Sequence, residues 1–157
     1  MIFVTVGAQI QFDRLIKTVD QWAAHYDGAV FGQIGNSNYF PENFEYKQFL
    51  KKIEYDEILK TTSLIISHAG MGTIISAMEL EKKIIIMPRL AQFREHRNDH
   101  QYATAQAFQR YGVTTAFNED QLLNFLQNIQ EVQPCTKIGK FASKELLYTI
   151  EQFIKSR

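Results

Sequence analysis

A short, β-branched apolar run returns four times along this chain, and each return is followed by a turn and then by a helical pattern. Ile2 to Val6, Ala29 to Ile34, Ser63 to Ser67 and Lys83 to Met87 are each five or six residues long. Near-continuous apolar runs of that length read as parallel strands buried on both faces. Between them, Phe12, Leu15, Ile16, Val19, Trp22 and Ala23 recur at steps of three and four, with Asp13 near the start where the helix dipole favours an acid. Tyr55, Ile58 and Leu59 give a short helix face, and Ile74 to Leu80, Asn98 to Tyr111 and Glu119 to Gln130 predict further helices. Phe44 to Phe49 and Val113 to Ala116 read as additional strands, Gln133-Pro134-Cys135 as a linker, and Leu146, Leu147, Ile150, Phe153 and Ile154 as the apolar face of a last helix. This alternation predicts one domain over 1–157, a doubly wound, mostly parallel α/β sheet, with 131–157 as linker and C-terminal helix. Such sheets bind ligands beyond the carboxyl ends of their strands, so function is expected in the loops there.

Composition removes several function classes. Seventeen Lys plus Arg balance seventeen Asp plus Glu, leaving no global field to hold nucleic acid or an anionic membrane surface. The single cysteine, Cys135, allows no intramolecular disulfide and no cysteine-based zinc site, which predicts a reducing, cytoplasmic setting. Met1 to Gly7 lacks a basic n-region and is too short for a signal peptide or a membrane span, so work at a membrane would require another protein to hold the chain there.

Three loops carry candidate chemistry. His68-Ala69-Gly70-Met71-Gly72-Thr73 follows a strand and opens a helix: glycines admit a ligand close to the backbone, and helix-start amides attract phosphate. The alternative is a helix entry whose glycines only relieve crowding. It is neither the dinucleotide fingerprint, since Ile75 stands where a third glycine is needed, nor a P-loop. Pro88-Arg89 and Gln92 to Gln101 follow another strand and offer cations, amides and carboxylates for a diphosphate and sugar hydroxyls, or else form a solvated mixed-charge loop. His96 and His100 are four apart, but Arg97 replaces the glutamate of a zincin motif and no third ligand is evident, so no metal is expected. Gly7-Ala8-Gln9 is a turn that would face the second loop across the sheet edge.

Taken in order, Phe3-Val4-Thr5-Val6-Gly7 with Phe12-Asp13, then Ser67 to Ile74, then Pro88-Arg89 and His96 with Asn98-Asp99-His100-Gln101, resemble the glycosyltransferase family 28 C-terminal domain in its short stand-alone form. That form includes the catalytic subunit of the dolichol-linked N-acetylglucosamine transferase and bacterial subunits of two-part exopolysaccharide and capsule glycosyltransferases, the latter being most similar. The resemblance covers roughly residues 1 to 130. It implies a Rossmann-like fold, the donor-binding half of a GT-B glycosyltransferase divided between two polypeptides. The donor would be a UDP-sugar, the acceptor a polyprenyl-diphosphate-linked sugar, and the reaction inverting, with neither cofactor nor bound metal.

Carried onto this chain, the resemblance implies that Gly70, Gly72 and Thr73 hold the diphosphate through amides and the Thr73 hydroxyl, while Gly7 allows close approach from the first loop. His100 and Gln101 would face the donor sugar and phosphate, with Asn98 and Asp99 supporting or extending that contact. Arg89 would meet diphosphate charge or form a helix-end or inter-subunit ion pair; His68 would position a phosphate or shape the turn. Many relatives carry a ribose-binding acid six residues after the first cradle glycine, where this chain has Ser76. No residue is an obvious catalytic base, which is expected from the membrane-anchored, acceptor-binding partner. A peripheral location at the inner face of the membrane follows. Half of a two-domain enzyme exposes the face its other half covers, so a partner complex or a homodimer is expected, with Leu147, Ile150 and Phe153 as a candidate contact. A non-catalytic nucleotide-binding or activating module is the alternative.

Overall fold

A computed structural model describes residues 1–138. Six strands form one sheet: β1 (Ile2–Thr5), β2 (Val30–Gln33), β3 (Glu45–Lys47), β4 (Leu64–His68), β5 (Lys83–Met87) and β6 (Thr114–Thr115). Their order is β3-β2-β1-β4-β5-β6, with every neighbouring pair parallel. The helices are α1 (Asp13–Ala23), α2 (Lys52–Thr61), α3 (Met71–Glu79), α4 (His100–Gln109) and α5 (Glu119–Gln127). The doubly wound parallel sheet is therefore as expected.

Alternation of side chains along each strand divides the core in two. Val4, Ile66, Ile85 and Met87 meet Leu15, Ile16 and Val19 of α1 and Leu122 and Leu126 of α5. On the other face Phe3, Ile65, Ile84 and Ile86 meet Leu59 of α2, Ile74 and Met78 of α3 and Ala105 of α4. Burying a side chain of this size stabilises the fold by about 1.5–3 kcal/mol. Because both faces of the central strands are covered, those strands are mostly apolar, which is why they are legible as near-continuous runs.

β1 lies at the centre, paired with β2 on one side and β4 on the other, Ile2 standing beside both Val30 and Leu64. The connection from β1 leads one way and the connection after β4 leads the other. That reversal opens a crevice at the carboxyl ends of β1 and β4, the place where such sheets take ligands. Polar residues collect there despite deep burial: the Thr5 hydroxyl donates to Gln33 Oε1 (3.1 Å), and the amide of Gly7 donates to Thr5 Oγ1 (3.3 Å).

Several boundaries differ from the sequence expectation. Helix α3 begins at Met71, so Gly72 and Thr73 belong to its first turn instead of preceding it. Helix α4 begins at His100, leaving Asn98 and Asp99 as its entry. The Gln133–Cys135 stretch is no loose linker: Pro134 bridges Lys83, Cys135 N donates to Lys82 O (3.2 Å), and Thr136 N donates to Tyr111 O (2.8 Å). The expected C-terminal helix around Leu146 to Ile154, with its candidate contact, lies outside the described residues. Among the described residues, no helix is long and apolar enough to cross a membrane.

Candidate functional site

Three loops converge on the crevice and enclose a cleft of about 370 Å³. Val6, Gly7, Ala8, Gln9 and Ile10 form one wall, Arg89, His96, His100 and Gln101 the other, and His68 lies between them.

Arginines hold the walls together. Arg89 is buried and donates from Nη2 to the carbonyls of Val6 (2.6 Å) and Ile10, and from Nε to that of Gln11 (3.2 Å). Its own amide donates to Gln101 Oε1 (3.1 Å), so loop one, loop three and the start of α4 become one unit. Arg89 is thus a clamp on backbone carbonyls and makes no ion pair among the described residues. Its Nη1 makes no hydrogen bond to the described residues, leaving part of the guanidinium for the cleft it lines. Burial pulls its pKa down to about 10, which keeps it charged at neutral pH.

Arg14, which the motifs do not single out, is the second clamp. It grips Glu95 with Nε–Oε1 and Nη2–Oε2 contacts of 2.8 Å each, reaches Glu119 (3.2 Å), and donates to Pro88 O (3.2 Å). Its guanidinium lies 5.3 Å from the Phe12 ring centre and 4.6 Å from that of Phe93, geometry suited to cation–π attraction. Glu95, itself buried, also accepts from Leu90 N (3.0 Å) and so closes the loop after β5. Glu95 therefore faces the scaffold, and no carboxylate lines the cleft among the described residues.

His68 explains two of the glycines. A Cβ at Gly70 would fall 2.2 Å from His68 Nε2, and one at Gly7 would fall 3.0 Å from His68 Cε1. Gly7 also has φ of +74°, a conformation that resists side chains. Burial, with the nearby charge of Arg89, pushes the His68 pKa down to about 4, and the Thr5 carbonyl offsets only part of this. The ring is neutral at physiological pH.

Next to it, α3 starts at an N-cap Gly70 with no side-chain cap. The first-turn amides of Met71, Gly72 and Thr73 are left without intrahelical acceptors, with the positive end of the helix dipole behind them. A Cβ at Gly72 would meet nothing within 4 Å, so packing does not demand glycine there. Thr73 is buried, and its hydroxyl stands 3.0 Å from Tyr55 Oη of α2, so the hydroxyl has a partner within the protein. Ser76 also sits elsewhere, in a groove between α2 and α3 with Lys52, Asp56 and Glu79.

At the entry to α4 the expected residues divide their work. Gln101 is buried and spends Oε1 on Arg89 N. Asp99 Oδ1 accepts from Ala91 N (2.7 Å), and Asn98 Oδ1 lies 2.7 Å from His100 Nδ1, so both support the wall without lining it. His96 meets His100 edge-on, ring centres 4.4 Å apart. No group of three His, Cys, Asp or Glu suited to a metal occurs among the described residues.

Residues 1–144 match the model of the glycosyltransferase family 28 C-terminal domain. A curated relative, the UDP-N-acetylglucosamine--N-acetylmuramyl-(pentapeptide) pyrophosphoryl-undecaprenol N-acetylglucosamine transferase 2 of Bacillus cereus, is 27% identical over 125 residues, or 72% of this chain and 35% of the relative. The chain thus spans about a third of the length of the curated relatives it matches. Among solved structures, the glycotransferase of kitacinnamycin superposes with a TM-score of 0.61 at 17% identity, covering 83% of this chain and 34% of that one. The solution structure of ALG13 gives 0.57 at 20% identity, covering 85% and 87%. The calicheamicin glycosyltransferase CalG4 gives 0.59 at 13% identity, covering 81% and 34%. These likenesses establish a shared fold.

Proposed function

Since the chain belongs to the glycosyltransferase family 28 C-terminal domain family, we propose that it is the donor-binding subunit of a two-component inverting glycosyltransferase. With a membrane-anchored partner it transfers a hexose from a UDP-sugar to a polyprenyl-diphosphate-linked sugar in exopolysaccharide or capsule assembly. The observation that carries this reading is the composition of the cleft at the sheet's switch point. The buried Arg89 cation and the imidazoles of His68, His96 and His100 line it, the uncapped start of α3 follows closely on His68, and no carboxylate lines the cleft among the described residues. That is a surface for an anion with a sugar attached. Charge developing on a departing nucleoside diphosphate would be stabilised by the helix dipole and by Arg89, groups already in place before reaction.

Deprotonating the acceptor hydroxyl requires a base with a pKa near the working pH. His68, held at about 4, is too weak. The base is therefore assigned to the partner, and the same observation favours the second reading, a non-catalytic module that lends donor affinity to a partner holding all reacting groups.

Calorimetric titration of the chain with UDP, UDP-glucose, UDP-galactose and UDP-N-acetylglucosamine tests the donor site. Binding is expected, weakened tenfold or more in a His100→Ala, Gln101→Ala variant. No binding by the unaltered protein would overturn the reading. Turnover in the co-expressed complex separates the two roles, since a variant complex that assembles but does not turn over supports direct participation in donor chemistry.

A further inference from the structure

We propose that His96 is a ligand-positioning residue of the cleft, its Nδ1 hydrogen-bonding an oxygen of the bound sugar diphosphate; this rests on the donor-site reading above. Among the described residues, Nδ1 of His96 is the buried side-chain polar atom that has no hydrogen-bond partner. Buried polar atoms are nearly always paired, because an unmade hydrogen bond still carries the cost of desolvation. An exception in the wall of a cleft marks a place that a bound molecule completes.

The ring is also held against turning to a partner elsewhere. It packs edge-on against His100, which is fixed by Asn98 Oδ1 at 2.7 Å. The residue before it, Glu95, is locked by the Arg14 fork and by Leu90 N. Arg94, one position earlier, takes φ of +57°, a left-handed conformation that a non-glycine residue adopts at a cost. A clamped loop with a strained residue thus places a residue with an unpaired ring nitrogen in the wall of the cleft. The charged and titratable groups around His96 are His100, Arg89 and Arg97 on its own side and His68 opposite, with no acid among them. With burial, they hold its pKa below the usual imidazole value. A neutral ring nitrogen donates or accepts according to tautomer, so it suits either a phosphate oxygen or a sugar hydroxyl.

Two substitutions test this. His96→Phe keeps an aromatic ring against His100 but removes both ring nitrogens; His96→Asn restores a hydrogen-bonding amide near the place of Nδ1 alone, so recovery in it assigns the contact to that nitrogen. Both are titrated with UDP and the three UDP-sugars, and thermal midpoints are recorded without ligand. His96→Phe is expected to keep or raise the midpoint, because an unpaired polar atom is gone, while binding UDP-sugars at least tenfold more weakly; His96→Asn is expected to recover part of that affinity. A loss confined to UDP-sugars assigns the contact to the sugar, and an equal loss for UDP assigns it to the diphosphate. Unchanged affinity in His96→Phe, or a midpoint that falls along with affinity, overturns the inference while the donor-site reading stands. No binding by the unaltered protein overturns both.

Discussion

The loop after β5 lines the cleft, the turn after β4 follows directly on His68 of the same cleft, and the two use their polar groups differently. In the loop, Arg89, Glu95, Asp99 and the Oε1 of Gln101 are all engaged within the protein, bonded to carbonyls, amides or Arg14. In the turn, the helix-start amides of α3 have no side-chain cap, and Gly72 faces open space. The loop is rich in charge and holds the walls. The turn has no charge and stays ready for a ligand. Charged side chains near a cleft are thus weak pointers to ligand contact, because a buried charge must first satisfy its own hydrogen-bonding needs.

Four experiments sharpen or break that contrast, beginning with the largest effect. Arg14→Met removes the guanidinium from a buried Glu95 carboxylate and is expected to lower stability by about 3 kcal/mol, read from urea midpoints. A loss below about 1 kcal/mol, the ordinary worth of an exposed ion pair, would mean that the loop does not depend on this clamp. Gly72→Ala should weaken UDP binding about tenfold, near 1.4 kcal/mol. The same change should leave stability unchanged or raise it by up to about 1 kcal/mol, because alanine favours the helix. Equal UDP affinity in the variant would remove the turn from the site.

Thr73→Val tests the turn from its other side. The lost contact with Tyr55 should cost about 1 kcal/mol of stability, with UDP affinity changed less than twofold. The fourth experiment reads pH dependence, a change in the shape of a curve and not in a single midpoint. His68 binds its proton at about 4 in the folded chain but near 6.5 when unfolded, so the unfolded state takes up more protons between those values. The stability this group contributes is present above about pH 6.5 and is lost as pH falls toward 4. Replacing it by Asn should flatten the stability curve across that window, and His96, unchanged in both proteins, leaves the difference to His68.

Particular residues show what a sequence reading could reach. Strands covered on both faces are apolar at most positions, so Ile2 to Val6 and Lys83 to Met87 announce themselves, and the glycine turn is visible because glycine is rare inside such patterns. A hydroxyl beside glycines suggests phosphate, whereas the neighbour the Thr73 hydroxyl has in the fold, Tyr55, comes from α2 and is not visible in the motif. Arg14 was missed for the same reason: its partners Glu95 and Glu119 lie far along the chain, and only the assembled sheet brings them to α1. A lone arginine beside Phe12 and Leu15, at the apolar start of a helix, was the signal available. The unpaired Nδ1 of His96 has no counterpart in sequence at all, since the absence of a partner is a property of three-dimensional surroundings.

The central place of β1 also bears on how the chain is made. Ile2 needs both Val30 and Leu64 beside it, and the second of these emerges from the ribosome several seconds after the first strand, at about 5–20 residues per second. Until then this apolar strand has one edge unpaired, a template for unwanted pairing with other nascent chains. Polypeptides cut short before Leu64 should therefore be recovered in the insoluble fraction or bound to chaperones, and protease resistance should appear only in those long enough to include Leu126.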